Sequence, residues 1–186
     1  MRQPPTPPRP SRADLERARG AGVPDIIGPD LKVLFCGINP SVYSAAVGHH
    51  FARPGNRFWP TLHGAGFTDH LLSPGEDRSL LDFGLGCTNL VARATAQASE
   101  LDAGEIERGA GHLLDLIRRH RPRWLAVLGL GAYRQAFGDP LARVGRQERS
   151  AAGAGVWLLP NPSGLNAHYQ LADLVAAYGE LRRASD

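Results

Sequence analysis

Lysine is nearly missing from this chain of 186 residues: of 21 basic side chains, only Lys32 is not arginine. Imine-forming catalysis needs an amine at its centre. A single lysine at the head of an apolar stretch argues against such chemistry. Cysteine is almost as scarce. Cys36 and Cys87 lie far apart and without C-x-x-C spacing, which excludes a disulfide framework and gives no ligand set for zinc or an iron–sulfur cluster. Reduced thiols of that kind fit a cytoplasmic protein. No apolar run approaches the ~20 residues of a membrane span. The first residues contain arginine but no apolar core of a secretion signal, so none is expected. The net charge is only +3. Arginine forks suit phosphate contacts, but a chain this rich in alanine and glycine is also what a compositional bias produces.

What is present fits one folded unit. The length is close to the ~150 residues of a typical domain, and such a chain can bury a core without covalent staples. Pro4, Pro5, Pro7, Pro8 and Pro10 crowd the first twelve residues, which read as a disordered or polyproline-like tail. A single domain is expected over 13–186. Ser11, with Asp14 three residues on, is a helix start running through Arg19. Apolar segments at Leu31–Gly37, Cys87–Val91, Trp124–Gly129, near Ser150 and at Val156–Pro160 read as strands. Helical patterns fall at Arg57–Gly64, Ala103–Arg119, Gly131–Phe137 and Leu171–Arg183. Strands alternating with helices predict a three-layer α/β/α fold around a mostly parallel sheet of four or five strands. Such sheets carry their sites beyond the carboxyl ends of the strands.

Unusual polar segments follow those ends. Gly37-Ile38-Asn39-Pro40-Ser41 leaves the first strand, and Pro40 holds Asn39 extended. The Asn39 amide can hold and orient a water, although an Asn-Pro turn also simply ends a strand. Gly48-His49-His50-Phe51-Ala52-Arg53-Pro54-Gly55-Asn56-Arg57-Phe58-Trp59 offers an aromatic that could stack on an extruded base. Phe58 and Trp59 equally suit the core. The paired histidines lack the spacing of a metal motif. Asn161-Pro162-Ser163-Gly164-Leu165 gives a small-residue turn able to approach phosphate, tipped by a leucine able to wedge into a base stack. An ordinary strand-to-helix loop would look the same. Gly129-Leu130-Gly131 lacks the third glycine of a dinucleotide fingerprint.

In this order the segments resemble the mismatch-specific uracil-DNA glycosylases and the related thymine-DNA glycosylases. The likeness runs from about Leu31 to Leu181 and includes Thr88-Asn89-Leu90-Val91. It implies excision of uracil or a related damaged pyrimidine from double-stranded DNA, favouring a G·U mismatch, by a monomer that uses no cofactor and no metal. It implies that Asn39 positions the hydrolytic water. Ile38, Ser44, Phe51 and Asn89 would bind the flipped base. Asn161, Ser163 and Gly164 would grip the DNA, and Leu165 would fill the vacated stack. Asp102, Glu100 and Asp82 are the carboxylates to weigh against Asn39 as a general base, against the plainer reading of loop acids or helix caps. Three departures stand out. Ser41 replaces the glycine common after the Asn-Pro pair. Ala167 stands where bacterial members often carry arginine, and Gly48-His49-His50 is closer to the thymine-excising branch. A nucleotide-binding enzyme built on the Gly129 turn and a mismatch-binding module without catalysis are the alternatives.

Overall fold

The computed structural model describes residues 9–186. Most of the proline-rich tail therefore lies outside the described residues. Helix α1 (Arg12–Arg17) opens with the expected capping box: Ser11 Oγ accepts from the Asp14 N–H, and the Asp14 carboxylate accepts from the Ser11 N–H. Five strands follow: β1 (Val33–Gly37), β2 (Leu85–Asn89), β3 (Trp124–Leu128), β4 (Gly145–Ala151) and β5 (Ala154–Leu159). They form one sheet in the order β2-β1-β3-β5-β4. All neighbours run parallel except β4, which pairs antiparallel with β5.

The core explains why β1, β3 and β5 are apolar throughout. Val33 and Phe35 of β1, Ala126 and Leu128 of β3, and Trp157 and Leu159 of β5 belong to one buried layer. Their alternates Cys36, Leu125, Val127, Val156 and Leu158 belong to the other. A parallel sheet covered on both faces has no polar side to show. Helices α3 (Phe58–Gly64) and α6 (Leu171–Ala184) supply Phe58, Leu62, Leu174, Tyr178 and Leu181 to the first layer. Helices α4 (Ala103–His120) and α5 (Leu130–Phe137) supply Ile106, Ala110, Leu113, Ile117 and Tyr133 to the second. In α4 those apolar residues recur at helical spacing, which made the helix visible in the sequence.

Strand β4 was hard to see because it is an edge strand with most of its side chains exposed. Arg146, Glu148 and Arg149 face outward, and a register shift interrupts its pairing with β5. Charge and a bulge are ordinary protections for such an edge. Strand β2 begins and ends two residues earlier than expected. Leu90 and Val91 lie beyond it, where their N–H groups still bond to Gly37 and Ile38 carbonyls. Three elements escaped the sequence pattern, among them a single 3₁₀ turn at Ala98–Glu100. Helix α2 (Val42–Val47) is short, capped by Ser41 and closed by left-handed Gly48. A 3₁₀ segment spans Pro74–Phe83. No helix among the described residues is long and apolar enough to cross a membrane.

Candidate active site at the carboxyl ends of the strands

Strand β1 lies between β2 and β3, so the chain leaves it toward one side of the sheet and leaves β3 toward the other. A crevice opens at such a switch point. Here it is a cleft of about 430 Å³. It is lined by the residues after β1 (Ile38 to Ser41), by Asn89 at the end of β2, by Leu128 of β3, and by Asn161 and Ser163 after β5.

Asn39 is held by two acceptors. Its Nδ2 donates to the Arg93 carbonyl at 2.9 Å and to Thr95 Oγ1 at 2.7 Å. The Thr95 hydroxyl in turn donates to the Gln97 carbonyl at 2.7 Å. Carbonyls only accept, so the polarity of this chain is set from both ends and the amide cannot turn over. Both amide hydrogens are committed, leaving Oδ1 for whatever enters the cleft. The loop that carries these acceptors is tied down in turn. The Thr95 carbonyl accepts from Val42 N–H, and the Thr95 N–H donates to the Pro40 carbonyl, both at 3.2 Å. The Arg93 guanidinium grips both Glu105 oxygens, at 2.7 and 2.9 Å, and donates to the Glu100 carbonyl at 3.2 Å. That bidentate contact holds the Glu105 carboxyl down at about 2. Thr95 and Arg93 were not read as site residues from the sequence; their contribution arises from contacts more than fifty positions away from Asn39.

Phe51 and Asn89 meet over Gly37. A side chain at Gly37 would come within 2.7 Å of Asn89 Oδ1 and 3.6 Å of the Phe51 ring. Glycine is thus required by the close approach of the two groups. Phe51 stacks on Phe58 with ring centroids 3.9 Å apart. Its backbone is left-handed, φ +52°, a costly conformation for a bulky residue. Neighbouring contacts impose it. Ser44 Oγ accepts from the Ala52 N–H at 3.1 Å on one side. On the other, the His50 N–H donates to buried Asp77 at 3.1 Å, and the His50 ring donates through Nε2 to the Pro24 carbonyl at 2.9 Å. Burial lowers the His50 pKa below the ordinary histidine value. Ser44 does line the cleft, but its oxygen also accepts from the Ser41 hydroxyl at 3.0 Å. Its observed contacts hold the loop in shape. Ser41 is explained as well: it caps α2.

The loop after β5 is built differently. Asn161 Oδ1 accepts from the Ser163 N–H at 2.9 Å, and Ser163 Oγ accepts from the Leu165 N–H at 3.2 Å. These two N–H groups are therefore already used within the loop. The Gly164 N–H takes no protein acceptor among the described residues. Gly164 also has a packing reason to be small: a Cβ there would sit 2.5 Å from the Gly55 carbonyl. Arg57 fastens the loop. Its guanidinium donates to the Ser163 carbonyl at 2.6 Å, the Asn166 carbonyl at 2.9 Å and the Tyr169 carbonyl, while its N–H reaches the Pro162 carbonyl at 3.0 Å. Leu165, at the tip, is 67% exposed.

The three carboxylates do not join the cleft. Asp102 caps α4, accepting from the Glu105 N–H at 2.8 Å. Glu100 accepts from the Gln97 N–H at 2.8 Å. Asp82 lines a second cavity with Lys32 and Gly84, at the amino ends of β1 and β2. Five residues of strand at about 3.3 Å each separate it from Asn39. The contacts of Asp102 and Glu100 support the plain reading of both as capping acids, and Asp82 lies away from the cleft. The Gly129 turn also has a packing explanation, since its φ is +135° and a Cβ would lie 3.2 Å from the Ile38 side chain.

Two comparisons bear on this arrangement. The solution NMR structure of a candidate uracil DNA glycosylase from Methanosarcina acetivorans aligns with a TM-score of 0.58 at 21% identity, covering 88% of this chain and 98% of that one. The two share a fold. The family model of the uracil DNA glycosylase superfamily matches residues 24–182. That match takes in every strand and all of the cleft lining except Val23, and the chain belongs to the uracil DNA glycosylase superfamily.

Proposed function

We propose that this DNA glycosylase hydrolyses the N-glycosidic bond of uracil, or of a related damaged pyrimidine, turned out of double-stranded DNA. In this reading it favours uracil opposite guanine and leaves the abasic site intact. The observation that carries the reading is the locked amide of Asn39, whose Nδ2 is spent on Arg93 and Thr95. Its Oδ1 accepts a hydrogen bond from a water and so turns that water's lone pair toward the sugar carbon. An amide is too weak a base to take the proton early. The bond to the base instead breaks first, giving a cationic sugar and an anionic base that fixed dipoles stabilise; the water then adds to the sugar carbon and its proton passes to the departing base anion or to solvent.

Phe51 stacks on the extruded base, while Asn89 and the backbone at Ile38 and Phe51 bond to its edges. The free Gly164 N–H and the Ser163 hydroxyl grip phosphate, and exposed Leu165 fills the gap in the stack. Extruding a base costs a few kcal/mol, least at a mismatch, which favours G·U over A·U. Lys32, the single lysine, packs against Gly84 at the far end of the sheet. Among the described residues the cleft lining thus holds no lysine.

The test is base release from G·U, G·T and A·U duplexes and from single-stranded uracil DNA, in the presence of EDTA. G·U should be processed fastest, and the chelator should change nothing. Activity lost in EDTA and restored by zinc would overturn the metal-free mechanism. Tight G·U binding without free uracil would make the chain a binding module.

A further inference from the structure

The cleft has one formally charged side chain on its lining, Arg53. The other ionisable group there, His50, is buried with its Nε2 bound to the Pro24 carbonyl. Arg53 is exposed, and its guanidinium meets no acceptor and no carboxylate among the described residues. The contrast with Arg57, four residues on, is sharp. Arg57 is committed to three carbonyls, whereas Arg53 is committed to nothing.

Arg53 is nevertheless presented from a stiff base. Its carbonyl accepts from the Asn56 N–H at 3.0 Å, closing a turn over Pro54 and Gly55. That turn is packed against the wedge loop where Gly164 meets the Gly55 carbonyl. Arg53 and Leu165 thus project from one two-loop unit at the mouth of the cleft. Beyond Leu165, position 167 is alanine and adds no charge.

We propose that Arg53 binds a backbone phosphate flanking the extruded nucleotide, and so draws the damaged strand to the mouth of the cleft. A nucleotide that turns out of a duplex brings its two flanking phosphates to the rim of the pocket that receives it. A planar guanidinium is matched to phosphate oxygens in bidentate geometry. Its exposed position on the rim reaches the backbone, while Phe51 and Asn89 over Gly37 form the inner wall. The inference rests on the base-excision reading above.

The experiment is equilibrium binding to a duplex with 2′-fluoro-2′-deoxyuridine opposite guanine, which resists cleavage, together with single-turnover rates on ordinary G·U duplex at saturating enzyme. Arg53→Gln should weaken binding about tenfold, the scale of a charge-assisted contact. The slope of log affinity against log salt should fall by about 0.9, the value for one phosphate. Arg53→Lys should recover most of that slope, and the saturated rate should stay within about threefold of wild type. A neutral methylphosphonate is then placed in turn on each side of the uridine. At one of the two positions it should weaken the wild type and leave Arg53→Gln unaffected. An unchanged slope, or no such position, overturns the proposal. A large fall in saturated rate with the slope intact also overturns it, because the guanidinium would then act on the leaving base. If the wild type releases no base while the slope and the methylphosphonate pattern hold, the glycosylase reading fails and the phosphate contact stands. Base release without the pattern is the reverse case.

Discussion

Two loops face each other across the cleft, and they are held by opposite means. The Arg93–Glu105 loop behind Asn39 is a relay of side chains ending in an ion pair, and its product is the orientation of one amide. The Asn161–Tyr169 loop is held by backbone carbonyls converging on one arginine, and its product is an exposed leucine on a stiff tip. The first arrangement suits chemistry, where a small rotation of a dipole matters. The second suits mechanical work on a duplex, where the loop must resist being pushed back. If this division is right, damage to the first loop should appear in the chemical step, and damage to the second in the difference between duplex and single-stranded substrates.

The largest effect is expected at Asn39. Asn39→Ala should slow single-turnover base release by about 10²–10³-fold, the scale of losing one oriented polar group at a reacting centre. Affinity for the duplex should stay within a few-fold. A large loss of affinity with an unchanged saturated rate would dissolve the distinction between the loops.

Arg57 comes next. Arg57→Met keeps the aliphatic stem but strands the Ser163, Asn166 and Tyr169 carbonyls. Unfolding should become easier by about 2 kcal/mol, the scale of buried charge-assisted bonds lost. Excision from duplex should suffer more than excision from single strands. Arg57→Lys should rescue poorly, since an ammonium cannot span the three acceptors as the planar fork does. Full rescue by lysine would mean that charge, and not geometry, holds the loop.

Leu165→Ala removes the tip without touching the scaffold. It should lower duplex excision about tenfold, leave excision from single strands nearly unchanged, and leave the melting temperature where it was. Equal losses on both substrates would make Leu165 a packing residue, which its exposure argues against.

The two loops also differ in how far the sequence revealed them. Asn39, Asn89 and Leu165 were singled out because each follows an apolar strand in a short polar motif, and Phe51 because it is an aromatic in a Gly/Pro-rich loop; the fold brings the four to one cleft. The apolar strands and the face of α4 were legible by periodicity. What the sequence hid was the support. Arg57 reads as one arginine among many until its three carbonyl partners, more than one hundred positions away, are in view. Thr95 and Arg93 read as loop residues until Asn39 reaches them. Asp102 and Glu100 looked like candidate bases because acids in a polar stretch near a site always do. Only their backbone partners mark them as caps. Helix α2 was missed because six residues without an apolar stripe leave too little periodicity to read.

The smallest expected effect lies in the Arg93–Glu105 pair, and its direction with pH is defined. Glu105 has its carboxyl lowered from 4.5 to about 2, first by the bond from Arg93. A carboxylate lowered by folding contributes stability above its unfolded value and loses it as pH falls through the folded one. The contribution should therefore be constant from pH 6 to 8 and fade between roughly 4.5 and 2. Glu105→Gln removes it at every pH, so the melting-temperature gap between variant and wild type should be flat near neutrality and narrow in acid. The rate should follow the same logic. Arg93→Gln or Glu105→Gln should slow base release by about fivefold at most, the scale of an exposed ion pair. The two together should cost little more than either alone, because both release the same loop. Asp102→Asn and Glu100→Gln, which disturb caps and not the relay to Asn39, should leave the rate near wild type and remove no acidic limb from its pH profile. An acidic limb abolished by either of them, with Asn39→Ala nearly as fast as wild type, would move the chemistry to a carboxylate and leave the relay behind Asn39 as scaffolding.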